Sequence, residues 1–162
     1  MILYIVRHAW AGDPDDPKYP NDDLRPLTDK GRKRFRGVVK RLAKRGFAPA
    51  QVATSPLVRC EQTAKLVCKH VPGKPPLTVL EQLAPGARLE ELLPWTRDQA
   101  ASDVAWVGHA PDVGRLMAAL IGAEGECVDF AKGAVAAIEF DDTIAPGRGT
   151  LLWFATAELL GR

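Results

Sequence analysis

The chain opens on an unbroken apolar run, Leu3-Tyr4-Ile5-Val6, that stops at Arg7-His8. A short continuous run of this kind marks a strand buried on both faces. Residues 11–26 then place Pro14, Pro17, Pro20 and Pro26 among five aspartates, which excludes regular structure and predicts a long loop. Loops of about sixteen residues in compact folds are usually functional or mobile. Beyond the loop the spacing turns helical. Thr28 is suited to cap a helix over 28–45 with Asp29 in its first turn, and Phe35, Val38, Val39 and Leu42 recur at i, i+3, i+4 and i+7 as its buried stripe. Gly46 closes it.

Residues 51–54 predict a second strand. Ser55 and Pro56 read as the N-cap and first-turn proline of a helix that turns Cys60, Ala64, Val67 and Val71 inward, until Pro-Gly-Lys-Pro-Pro at 72–76 breaks it. A third strand is expected at 77–80, a helix at 89–100 and a fourth strand at 104–107. His109 and Pro111 start another helix, carrying Leu116, Leu120 and Ile121. Two closing strands at 135–140 and 151–155 are joined by Pro146-Gly147-Arg148-Gly149, a turn that lacks the Gly-Lys-Ser/Thr of a phosphate loop. The alternation predicts an α/β fold: a single domain over 1–162, a three-layer sandwich with a largely parallel central sheet flanked by helices.

Composition narrows this picture without changing it. At 162 residues, 46% hydrophobic and 26% charged, the chain has one ordinary domain's worth of core, which excludes whole-chain disorder, collagen and coiled coil. No stretch approaches the roughly 20 apolar residues of a membrane span, and the opening run lacks the basic start of a signal peptide. Cys60, Cys68 and Cys127 are an odd number, so no disulfide framework is implied and a cytoplasmic protein is expected. The net charge of +2 hides a polarity. Residues 1–81 carry 16 Lys/Arg against 8 Asp/Glu, and residues 82–162 carry 6 against 12.

Ligands of open α/β sheets bind outside the carboxyl ends of the strands. Those ends deliver Arg7-His8, Thr54-Ser55-Pro56 with Arg59 one turn on, Glu81, and Gly108-His109. Two of the chain's three histidines thus meet two arginines and a carboxylate at one edge. Arginine forks and helix N-termini bind phosphoryl oxygens. A histidine among them can attack phosphorus, a second, as a cation, can stabilise the transferring charge, and a carboxylic acid can protonate the leaving group. The chemistry is metal-independent phosphoryl transfer and calls for no cofactor.

Val6-Arg7-His8-Ala9, the helix entry Leu27-Thr28-Asp29-Lys30-Gly31, Thr54 to Ala64, and Val107-Gly108-His109-Ala110-Pro111 together resemble the histidine phosphatase superfamily. Their order and spacing match over nearly the whole chain. The short length, without the inserted segment of the phosphoglycerate mutases, is most similar to the SixA-type phosphohistidine phosphatases. The resemblance implies a phosphoglycerate mutase-like fold, His8 as nucleophile, and Arg7, Arg59, His109 and the Ala110 backbone as the phosphate pocket. Two positions depart from the family pattern. Ala9 stands where a glycine is usual, and the acid is weakly specified: Glu81 sits about where larger relatives keep theirs, with Asp13, Asp15 and Asp16 of the loop as competitors.

The readings carried forward are a phosphatase for protein phosphohistidine, a small-molecule or nucleotide phosphatase of the same superfamily, and a non-catalytic phosphate-binding docking module. A metal hydrolase using His8 and His109 lacks the expected ligand spacing. The partner is a phosphorylated protein, such as a phosphohistidine domain, or a small phosphorylated substrate. Neither nucleic acid nor membrane is expected. Helix 28–45 carries nine basic residues and no acid after Asp29, read either as a solvated face or as a dock for an acidic partner. The one aromatic among them, Phe35, belongs to the buried stripe, so nucleic-acid stacking lacks support. Cys60, Cys68 and His70 invite zinc, but helical phasing makes the two cysteines buried thiols. Arg59 has Glu61 or Asp13 as conceivable salt-bridge partners.

Overall fold

Leu3 and Ile5 face one side of the first strand and Tyr4 and Val6 the other, and all four are buried. That double burial is what a central strand covered on both faces requires. The computed structural model describes residues 1–99, 103–124 and 128–162. It has β1 (Ile2–Arg7), α1 (Asp29–Ala43), β2 (Gln51–Thr54), α2 (Val58–His70), β3 (Leu77–Val79), α3 (Leu89–Asp98), β4 (Val104–Gly108), α4 (Asp112–Ile121), β5 (Val135–Glu139) and β6 (Thr150–Ala155). The sheet runs β3-β2-β4-β1-β5-β6. Its first four strands are parallel, whereas β5 and β6 close it in antiparallel pairing.

Each face has its own core. Beneath α1 and α2 lie Phe35, Val38, Val39, Leu42, Cys60, Ala64 and Val67, packed on Tyr4, Val6 and Val107. Beneath α3 and α4 lie Leu92, Met117 and Leu120, packed on Leu3, Ile5 and Trp106. Burying one such side chain contributes about 1.5–3 kcal/mol, so the stripe of α1 alone ties that helix firmly to the sheet. Trp106 satisfies its indole N–H on Thr96 Oγ1 at 3.1 Å.

The α1 entry shows why its residues recur at that spacing. Thr28 Oγ1 accepts the Gly31 N–H at 2.9 Å, and the Thr28 N–H donates to the Trp10 carbonyl at 3.1 Å. A Cβ at Gly31 would run into that same carbonyl. Glycine there lets the helix start against the loop leaving β1.

Three expectations shift. Ser55 and Pro56 do not begin a helix: α2 starts at Val58 with Leu57 as cap, and the Ser55 hydroxyl serves His109 instead. The helix after β4 starts at Asp112, with Pro111 as cap residue, so His109 stays on the loop. The proline-rich loop is not wholly irregular, because Ala11 bridges Leu27 and Asp22–Leu24 forms a 3-10 turn capped by Asn21. Residue 100, the expected end of α3, and Cys127 lie outside the described residues.

Candidate active site

Strand register assembles the site. Arg7 pairs with Gly108 across β1 and β4, so the next residues, His8 and His109, emerge side by side with ring centroids 5.6 Å apart. Thr54 pairs with Val107, which sets Ser55 against His109; Ser55 Oγ and His109 Nε2 share a hydrogen bond of 2.7 Å. Together with Arg7, Arg59 and Ala110 the two histidines line a cleft of about 450 Å³.

His8 is buried and its Nδ1 lies 2.7 Å from the Ala9 carbonyl oxygen. A carbonyl only accepts, so Nδ1 carries the proton and Nε2 of the neutral ring keeps its lone pair. Burial, followed by the charges of Arg59, His109 and Arg7, pushes the His8 pKa down to about 3 against the opposing Ala9 hydrogen bond. The ring is a free base at neutral pH. Ala9, in place of glycine, is fully buried and is not among the positive-φ residues, so the methyl group costs no backbone strain there. Its N–H donates to Thr63 Oγ1 at 3.0 Å, and Thr63 in turn donates to the Arg59 carbonyl at 2.7 Å, tying the loop after His8 to α2.

The second imidazole corrects an expectation. Burial and the Arg59 charge push the His109 pKa down to about 4, against Asp112, Asp22 and Asp23. At neutral pH it is neutral rather than cationic. Cys60 Sγ lies 3.4 Å from His109 Nε2, and burial raises that thiol to about 12, so it packs as an inert neutral group. Cys68 is half-buried against the same core.

The arginines are held from behind. Arg7 Nη1 donates to the Phe130 carbonyl at 2.7 Å, and burial holds its pKa below the ordinary value. Arg59 is tied neither to Glu61, which pairs with Lys65 at 2.9 Å, nor to Asp13. Its partner is Asp22 of the long loop: Nη2 meets the carboxylate at 3.0 Å and Nη1 donates to the Asp22 carbonyl at 2.8 Å. A hydrogen bond from Arg25, then the Arg59 charge, holds the Asp22 carboxyl below its ordinary range. The Nε atoms of Arg7 and Arg59 are buried without a partner among the described residues. Unpaired buried donors are costly.

Glu81 does not join the cleft. It is exposed at the start of the 3-10 turn Glu81–Leu83, and the wall next to it is made by Pro85 and Gly86. Asp13 and Asp16 cap the N–H groups of Asp15 and Lys18 within their own loop. Sequence reasoning missed Arg25, Asp112, Arg115 and Lys132, all of which line the cleft. Asp112 is buried, accepts the Gly86 N–H at 2.8 Å and pairs with Arg115. Its place three residues after His109 was the available signal. Arg25, adjoining the helix entry in Arg25-Pro26-Leu27-Thr28, offered another.

A parallel sheet that brings imidazoles and guanidinium groups together at its strand ends defines a phosphoryl-handling enzyme. Comparison with known proteins gives the same class. The model of the histidine phosphatase superfamily (branch 1) matches residues 3–85. An uncharacterized protein of Picosynechococcus is 37% identical over 139 residues, covering 83% of this chain and 82% of its own. The phosphohistidine phosphatase SixA of Escherichia coli K12 is 31% identical over 159 residues, covering 94% and 92%. A solved structure of the protein histidine phosphatase SixA complexed with tungstate superposes with a TM-score of 0.85 over 99% of both chains at 27% identity. The alpha-ribazole phosphatase of Shigella flexneri shares the fold, with a TM-score of 0.73 over 97% of each chain at 19% identity. The chain belongs to the histidine phosphatase superfamily and is a phosphatase similar to SixA. Its fold is the phosphoglycerate mutase-like sandwich, and its substrates are phosphorylated.

Proposed function

We propose that the protein hydrolyses phosphohistidine on a protein substrate through a phosphorylated His8. The Nε2 lone pair of His8 attacks phosphorus, forming an N–P bond as the substrate's P–N bond breaks and its electron pair returns to the leaving imidazole. Water then attacks the phosphorylated His8, its oxygen bonding to phosphorus while the N–P pair returns to Nε2. Orthophosphate leaves. Arg7, Arg59, His109 and the Ala110 backbone hold the phosphoryl oxygens, and the unpartnered Nε donors of Arg7 and Arg59 are the groups an anion would satisfy. The incoming dianion draws His109 toward its cationic form.

The observation that carries the choice of substrate is the cleft's shortage of a free acid. Among the described residues lining it, the one carboxylate is Asp112, already committed to Gly86 and Arg115. An alkoxide leaving group needs a proton donor. An imidazole protonated by solvent on its other nitrogen leaves as a neutral ring and needs none from the enzyme. Likeness to a phosphohistidine phosphatase over 94% of the chain supports the same reading.

Phosphate release is the test, measured in chelator from a histidine-phosphorylated protein, from free phosphohistidine and from a generic phosphate ester. Preferential cleavage of the phosphoramidates by the native enzyme, lost in His8→Ala, is the expected result. Preferential cleavage of the ester would overturn the substrate assignment while leaving the phosphatase chemistry standing.

A further inference from the structure

Between residues 28 and 71 the chain has 12 lysines and arginines and two acids, Asp29 and Glu61. Because Gly31, Phe35, Val38, Val39 and Leu42 are buried beneath α1, its Lys30, Lys33, Arg36 and Lys40 are turned into solvent, with Lys44 and Arg45 just beyond its end. Among the described residues none of these six pairs with a carboxylate; the ion pairs are made by Asp22, Glu61, Glu90, Glu91 and Asp112. On α2 beside it, Lys65 is neutralised by Glu61 whereas exposed Lys69 is not. The two helices share one field: burial, then the charges of Lys40, Lys69 and Arg36, hold the His70 imidazole below its ordinary range.

This field reaches the cleft. Both helices begin at the catalytic edge, α1 against the Trp10 carbonyl two residues past His8, and α2 with Arg59 in its first turn. A 15-residue helix is about 22 Å long, so the cations run from the rim of the cleft down the whole layer. Unpaired charges of one sign repel each other in the folded protein and attract a partner of the opposite sign.

We infer that the exposed face of α1 and α2 docks an acidic surface of the phosphorylated protein on which the cleft acts, an inference that rests on the phosphoprotein reading above. Two other polyanions fit the face poorly. Single-stranded nucleic acid is held by stacking on exposed aromatics, and the one aromatic of these helices, Phe35, is fully buried. A surface-lying membrane helix inserts its apolar stripe, and here that stripe is spent on the core. An acidic protein surface needs only the outward charges.

The experiment compares the native enzyme with the charge-reversed variant Lys33→Glu/Arg36→Glu/Lys40→Glu, none of whose positions lines the cleft. The substrates are an acidic histidine-phosphorylated protein and free phosphohistidine, at low and at physiological salt. Binding of the unphosphorylated acidic protein is titrated alongside, and circular dichroism checks the fold. The reversal is expected to lower kcat/KM on the phosphoprotein by about tenfold or more at low salt, through KM, with free phosphohistidine unchanged within about twofold. Equal losses on both substrates, or none on the protein, would overturn the docking surface. So would native binding confined to RNA or to anionic vesicles. Should the native enzyme cleave neither phosphoramidate yet bind the acidic protein through these charges, the substrate assignment fails and the docking surface stands.

Discussion

The molecule carries two cationic regions built from the same residue types under opposite physical conditions. Around the cleft, Arg25 and Arg59 are buried, and with Arg7 each is tethered by a carbonyl or carboxylate behind it. On α1, Lys30, Lys33, Arg36 and Lys40 are exposed, and among the described residues none of them pairs with a carboxylate. Holding a guanidinium in a low-dielectric cleft requires tethers and leaves it with a fixed direction, which is what stabilising a transferring phosphoryl group demands. A lysine in solvent needs no tether and has no fixed direction. It acts through summed potential at a distance, weakened by salt. In the proposed reaction and docking, burial rather than charge separates chemistry from attraction.

The comparison breaks most completely at His8. His8→Ala is expected to lower phosphoramidate turnover by about 10³-fold or more while orthophosphate still binds, measured by phosphate release and by phosphate titration. Arg59→Ala removes one preorganised donor and is expected to cost about 10²–10³-fold in kcat; a loss of only twofold would move Arg59 to the solvated class. A third effect is on folding. The unfolded chain binds protons at His8 and His109 near the ordinary pH 6.5, whereas the folded chain resists until about 3 and about 4. Stability from these two rings is therefore full above pH 6.5 and is lost as pH falls toward 3, which chemical denaturation at pH 7.5 and 4.5 should reveal. In His8→Ala that loss should shrink.

The smallest expected effect sharpens the boundary between the regions. Asp22 stands half exposed between Arg25 and Arg59, and an ion pair in that setting is worth up to about 1 kcal/mol. Asp22→Asn should raise KM for free phosphohistidine by about two- to fivefold with kcat nearly unchanged. It should also lower the His109 pKa further, since the Asp22 charge raises it. An NMR titration of His109 reads that shift directly.

Much of this was legible in the chain. The apolar stripe of α1, the double-faced burial of β1 and the order of alternating strands and helices follow from periodicity, because side-chain spacing fixes which face each element must bury. His8, His109, Arg7 and Arg59 were legible because each stands at or just past a strand's carboxyl end, where a parallel sheet opens its binding edge. Arg25 and Asp22 were not, because a proline-rich loop carries no periodicity to say which of its residues turns inward. Ser55 misled for a related reason. A serine before a proline fits a helix cap, and nothing local reveals an imidazole on a loop 54 residues further along the chain.

The sequence by itself determined the layered α/β architecture, the strand ends at which the reactive side chains emerge and the charge polarity between the two halves of the chain. Those properties depend on local spacing and composition. Tertiary structure alone decided that His109 is neutral, that Glu81 stands outside the cleft, and that Asp22 rather than Glu61 or Asp13 holds Arg59. Each of these depends on burial and on which charges long-range register brings within a few ångströms, and neither can be read from neighbours along the chain.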